Sequence, residues 1–369
     1  MNGDVHLSPT GNGPAFRWPL LAWLGNRMFL VVVSWLAITQ LPMRSERGLW
    51  QPYPGKHPLN GWVRWDAGWY AEIARDGYLP AEKIQAGRQR NTAFFPLYPL
   101  VTRCVSRVVG DVYRSGLLVS NLAFLAALLL LHDLVRREHG EACARRTTSL
   151  LLWHPCSFFF SAMYTESLFL LCAVLFFRLA GRGRAGPAGL CAALAGATRV
   201  VGVLLAPALL IQGWRGSSSL RDRVRTMAPA LLLALTGAAS YAVFLAVRYG
   251  NPLEFSAAQH VEGWGTGVGF MPAGPMDVFN LLFLPLALIL LWQGRRLLPP
   301  EQRAWVFLTL LLSLARWPSL SRLTLVLFPL FVVAAIKLPN RRVFASILAV
   351  SAVLLTLTTL RFALWYWVA

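Results

Sequence analysis

Asp66 is the carboxylate best placed for chemistry. It stands in the run WDAGWYAEIARDGY at 65–78. On a helical wheel Trp62, Trp65, Trp69 and Ile73 share one face, with Arg64, Ala71 and Arg75 opposite. Asp66 lies at the edge of the aromatic face, and Tyr70 follows one turn on. Such a helix would rest on a membrane surface with its aromatic rings in the interface. An acid held there is partly desolvated, which favours its taking a proton. The chemistry that fits is general-base catalysis. On these residues alone two readings stay open: a base, or a cap or ion-pair partner within its own loop. Glu72 and Asp76 flank Arg75 and read as solvated positions.

The elements that must position Asp66 are apolar helices. The chain has 369 residues, 56% hydrophobic and 14% charged, against about 25% charged in soluble domains. Runs of roughly 20 apolar residues recur from Leu20 onward, the length that crosses a bilayer as helix. The formal net charge of +19 comes from arginines in short loops between spans, where membrane orientation requires them. No soluble basic domain exists to bind nucleic acid. Of 35 basic residues only Lys56, Lys83 and Lys337 are lysine, a bias that points to a bacterial source and so to a bacterial plasma membrane. Cys104, Cys143, Cys156, Cys172 and Cys191 form no CxxC pair, so packing is expected of them rather than a disulfide framework or zinc site.

These runs predict an all-α polytopic membrane protein, one domain over 1–369, with about eleven passes and a large extracytoplasmic loop at 42–114. The spans fall near 18–41, 116–134, 147–160, 167–177, 228–247, 278–292, 304–315, 323–336 and 343–365, and the run 186–214 supplies two more. Arg27 would snorkel to the near interface. Basic clusters bound 186–214 at both ends, so the run should go up, turn at Thr198-Arg199 and return to the cytoplasmic side. A charge at such a break must face protein or water. In the large loop, AFFPLYP at 93–99 reads as a wedge at the membrane surface, its prolines preventing a continuous helix. His154 marks a kink. The loop 250–277 holds Gln259, His260 and Glu262, and its GWGTGVG run precedes no helix that would make a nucleotide site. A short outer turn covers 316–322.

Five stretches, in order, then carry a resemblance. They are the loop motifs at 65–78 and 93–99, FSAMYTESLF at 160–169, ATRVVG at 197–202, GNPLEF at 250–255 with Gln259, and SRLTLVLFPLF at 321–331. Together they resemble the PIG-V family of mannosyltransferases, which adds the second mannose to glycosylphosphatidylinositol anchors in eukaryotes and has bacterial relatives.

The resemblance implies a GT-C fold and an inverting glycosyltransferase. Such an enzyme takes a sugar, here expected to be mannose, from a polyprenyl-phosphate donor. It passes the sugar to an acceptor outside the cytoplasm. Asp66 matches the family's catalytic base. Ala67 follows it, so a paired-acid metal chelate is not expected, and no cofactor is. The departing lipid phosphate needs cations, and Arg199, Arg322 and Arg316 are the candidates. Trp65, Trp69, Tyr70, Tyr164, Glu166 and Gln259 could line the substrate pocket, or be polar and aromatic groups satisfied between helices. The rival is a transporter or flippase for a lipid-linked or small solute. It explains the spans but not an acid on an aromatic helix in a long loop, and no inverted repeat is visible.

Overall fold

A computed structural model describes residues 16–44, 51–85, 87–215, 219–260 and 274–369, with the side chains of 315–317 left aside. Glu262, the Gly-rich run at 263–269 and the side chain of Arg316 therefore lie outside the described residues. Among the described residues the chain is helical without strands. Five helical segments are long and apolar enough to span: α1 (Arg17–Gln40), the folded-back segment Val112–Leu152, Leu220–Tyr249, the segment from Pro275 to Arg296, and Arg341–Ala363. Shorter apolar helices fill in between them. This is a multi-pass membrane protein, in which several predicted spans prove short or kinked.

In the large loop a 3-10 turn (Pro58–Trp62) precedes α2 (Ala67–Asp76), and α3 (Leu97–Val109) follows. The aromatic face drawn through Trp62, Trp65, Trp69 and Ile73 does not exist as a helical face. Helix α2 begins only at Ala67, and Trp65 takes a left-handed conformation (φ 52°). The apolar side of α2 packs on protein instead: Ala67, Tyr70, Ala71, Ile73 and Ala74 are buried. Arg64, expected in water, is fully buried. Its Nε donates to the Ala363 carbonyl at 3.1 Å and its guanidinium lies 4.9 Å over the Trp365 ring. Burial pushes its pKa down to about 10. Asn91 ties the loop together, donating to Glu72 Oε1 and the Gly77 carbonyl while accepting from Leu79 N–H. The residues 93–99 are no surface wedge. Phe94 and Phe95 are buried, and Pro99 sits in the first turn of α3, where a missing N–H costs nothing.

The predicted second and third spans stand as two helices, together α4 (Val112–Leu152), joined at the non-helical Gly140, and the chain folds back there so that the His132 ring meets Thr148 Oγ1 at 3.2 Å. Gly140 has φ 82°, which only glycine adopts without strain. Helix α4 stops at Leu152 rather than running on to Phe160, because Pro155 disfavours the helical backbone before it. The His154 ring accepts a hydrogen bond from Cys156 N–H at 3.1 Å, and a 3-10 turn (Ser157–Phe160) buries three phenylalanines in a row. Arg27 does not snorkel. It is buried in α1, donating to Ser161 Oγ and Asn26 Oδ1 and stacked 4.8 Å over Phe124.

Helix α5 (Glu166–Ala180) leads to α6 (Ala185–Thr198). At Arg199 the backbone becomes extended and the chain folds back through a 3-10 turn (Val200–Leu204) into α7 (Leu205–Trp214). A Cβ on Gly202 would lie 2.2 Å from the Ala195 carbonyl carbon, so the turn rests directly on α6. Fourteen residues make only about 21 Å of helix, short of the roughly 30 Å hydrocarbon core. Against α8 (Leu220–Tyr249), α6 packs backbone to backbone. A Cβ on Gly237 would stand 1.7 Å from the Ala193 carbonyl oxygen. Such small-residue contacts are how membrane helices approach closely, and they fix the α6 end that bears Arg199.

After the short α9 (Glu254–Ala257) come α10 (Pro275–Gln293) and α11 (Pro300–Ser313). The expected outer turn at 316–322 is helical, ending in α12 (Leu320–Leu325). The predicted span 323–336 is broken at Val326-Leu327, before α13 (Phe328–Lys337), since Pro329 follows there. Helix α14 (Arg341–Ala363) closes the chain, followed by Trp365, Tyr366 and Trp367.

Candidate active site

Four charged side chains from four elements meet at one place. Asp66 precedes α2, Glu166 opens α5, Arg199 ends α6 and Arg322 lies in α12. Arg322 donates through Nη1 to Asp66 Oδ2 at 3.0 Å and through Nε to Glu166 Oε1. Arg199 Nη1 donates to the same Glu166 oxygen. The other oxygen, Glu166 Oε2, is buried with no hydrogen-bond partner among the described residues. The Arg322 guanidinium also lies 4.6 Å over the Tyr164 ring and 4.9 Å over Phe159, a cation–π arrangement that holds its plane. Glu166 is wholly buried, while the Asp66 and Arg199 side chains keep 20% and 16% of their exposure. These two are therefore the most exposed members of the cluster, followed by Arg322 at 9%. Although Asp66 occupies the N-cap position of α2, its side chain does not cap the helix. An ion pair with Arg322 takes that place.

The segment 62–66 is fastened to the turn before α5 by three hydrogen bonds. Met163 N–H donates to the Trp62 carbonyl at 3.1 Å, Tyr164 Oη donates to the Arg64 carbonyl at 3.1 Å, and Asp66 N–H donates to Tyr164 Oη at 3.2 Å. Tyr164 thus positions Asp66 through the backbone. Between them, Trp65 holds a left-handed backbone costing about 1–3 kcal/mol, braced edge-on by Trp365 and Trp367, each at 5.5 Å. On the α12 side, Ser321 donates from N–H and Oγ to Asn280 Oδ1, and Asn280 donates to the Val368 carbonyl at 2.7 Å. Arg322 is held by α10 and the C-terminal residues together. Tyr164→Phe removes the hydroxyl from two buried backbone groups, so a loss of about 1–3 kcal/mol in stability is expected. Thermal unfolding of the two proteins in the same detergent checks this; an unchanged midpoint would contradict the fastening role.

Of the other pocket candidates, Tyr70 is buried, edge-on to Tyr98 and Phe94, and burial pushes its hydroxyl well above the usual range. It is no base at neutral pH. Trp69 stacks on Phe94 at 6.2 Å. Gln259 donates to the Ala93 carbonyl at 3.2 Å, beside the ion pair of Arg90 with Glu254. That pair was not anticipated, though a carboxylate within GNPLEF signalled it. Among the described residues no three His, Cys, Asp or Glu side chains come together to hold a metal.

The fold has solved counterparts. It superposes on ArnT from Cupriavidus metallidurans bound to undecaprenyl phosphate, with TM-score 0.55 at 15% identity over 90% of this chain and 62% of that one. The apo state of ArnT gives TM-score 0.52 at 17% identity, over 89% and 61% of the two chains.

Residues 42–215 match the family model for mannosyltransferase (PIG-V), and it is this family that the chain resembles. The matched stretch holds Asp66, Glu166 and Arg199. Two curated relatives are GPI alpha-1,6-mannosyltransferase 2 of Rattus norvegicus, 32% identical over 52% of this chain and 41% of that protein, and of Mus musculus, 34% identical over 50% and 40%. The chain thus matches about two fifths of the length of these relatives.

Proposed function

We infer that this chain is a membrane mannosyltransferase that uses a polyprenyl-phosphate sugar as donor and acts outside the cytoplasm. The observation that carries the reading is the meeting of Asp66 with Arg322, Glu166 and Arg199. The acceptor hydroxyl oxygen attacks the anomeric carbon, and the bond from that carbon to the phosphate oxygen breaks on the opposite face. Asp66 takes the hydroxyl proton. The leaving lipid phosphate keeps the electron pair, and Arg322 and Arg199 stabilise its charge. Arg316 is a third cation on the same stretch of chain. Glu166 holds the two guanidiniums in register and positions them. The ArnT relative in fold was solved with undecaprenyl phosphate, which supports a lipid-linked donor here.

The test is transfer from radiolabelled polyprenyl-phosphate mannose in membranes containing the chain, against membranes without it. Label should move into extracted glycolipid or glycoprotein only where the chain is present. Transfer from a nucleotide sugar instead, or movement of the intact lipid across the bilayer without transfer, would overturn the assignment.

A further inference from the structure

A second feature lies at the far end of α10. From Asn280, which touches the residue before Arg322, to Trp292 is twelve residues, or about 18 Å along the helix. There, between α10 and α11, runs an open groove of about 480 Å³. Leu288, Leu291, Ala304 and Phe307 line its length, and Trp292, Arg295 and Arg303 stand at the end nearest the connecting loop.

The two arginines are fixed without using up their charge. Arg295 stacks 4.2 Å over the Trp292 ring and donates to the Trp292 carbonyl at 3.1 Å. Arg303 donates through Nη1 to the Arg295 carbonyl at 2.9 Å, and its Nε is buried without a partner. Among the described residues neither is paired with a carboxylate. Five arginines elsewhere are paired: Arg136, Arg137 and Arg178 share Asp133, Arg145 binds Glu141, and Arg215 binds Glu301, whereas Arg146 reaches only the Pro339 carbonyl. An apolar trough that ends in two oriented, uncompensated guanidiniums is complementary to a hydrocarbon chain ending in a phosphate. The connection with the first turn of α11 carries Arg295, Arg296 and Arg303 and so falls on the side where basic loops gather, the cytoplasmic face. Basic pockets between membrane helices on that face take anionic lipid headgroups.

We propose that the α10–α11 groove binds one anionic phospholipid of the cytoplasmic leaflet, its acyl chain along Leu288, Leu291 and Phe307 and its phosphate between Arg295 and Arg303. The site is separate from the Asp66 cluster and does not depend on the sugar-transfer reading.

The probes are phosphatidylglycerol and phosphatidylcholine in mixed micelles. Native mass spectrometry counts retained lipid, and thermal unfolding measures stabilisation. Wild type should retain one phosphatidylglycerol and be stabilised by it over phosphatidylcholine. Arg295→Gln with Arg303→Gln should weaken that binding roughly 30-fold, at about 1 kcal/mol for each arginine. The control Arg341→Gln with Arg342→Gln, at exposed positions, should leave it unchanged. Ala304→Trp fills the trough while keeping both charges, and should also abolish retention. Equal stabilisation by the two lipids, or an unchanged phosphatidylglycerol effect in Ala304→Trp, would overturn the proposal.

Discussion

Asp66→Asn is expected to lower sugar transfer by about 10²–10⁴-fold, the usual size of a lost general base. The substitution keeps the side chain's shape and one oxygen for Arg322, so the ion-pair cluster loses a charge but not a contact. Arg322 remains held by Glu166 and by the rings of Tyr164 and Phe159. The variant should therefore insert, unfold near the wild-type temperature and still bind donor lipid. Asp66→Glu should fall between the two, because the extra methylene moves the carboxylate by about 1 Å, an error that can cost about 10²-fold. The measurement is single-turnover transfer with donor binding followed in parallel. Near-wild-type turnover by Asp66→Asn would remove the base from this residue.

Arg322 should show the second large effect, through two routes that can be separated. Its guanidinium is the only member of the cluster that joins both carboxylates. Losing a cation that stabilises a departing group costs about 10²–10³-fold in rate. Stripping one partner from a buried ion pair costs about 3–5 kcal/mol in stability, because Glu166 would be left with Arg199 alone. Arg322→Ala should thus lose activity and much of its membrane-inserted protein. Arg322→Lys keeps the charge but has no planar fork to span Asp66 and Glu166, so it should retain fold and part of the turnover. Activity per folded molecule is the deciding quantity. If it stays at the wild-type level in Arg322→Lys, with only abundance reduced, Arg322 is a structural tie and not a phosphate ligand.

Part of this site is legible in the sequence because its members are expensive where they stand. Asp66, Glu166, Arg199 and Arg322 are charged residues in or beside apolar runs, and each demands a partner. Their convergence is not legible, since Asp66 and Arg322 are 256 positions apart and no local pattern links them. The long uninterrupted helices α1, α8, α10 and α14 follow from apolar length alone. The broken ones do not, because Pro155 and Pro329 redirect the backbone inside runs that read as continuous. The wheel through Trp62–Ile73 misplaced Arg64 for a related reason. It assumed one helix where Trp65 turns the chain, and that turn depends on Trp365 and Trp367, residues from the far end of the sequence.

The resting cluster contains two cations and two anions, so it is electroneutral, and every guanidinium in it faces a carboxylate. A phosphate entering that circuit does not simply add a contact; it displaces one. At Arg322 the accessible carboxylate to give way is Asp66, since Glu166 is enclosed and tied to Arg199 as well. If Arg322 takes the donor phosphate as proposed, donor arrival and release of Asp66 from its pair become one event, and the empty protein holds its carboxylate engaged. On the proposed reading, the acceptor oxygen meets an unpaired Asp66 only after the lipid phosphate is seated. Binding then has an order, donor first, imposed by charge balance rather than by a moving lid.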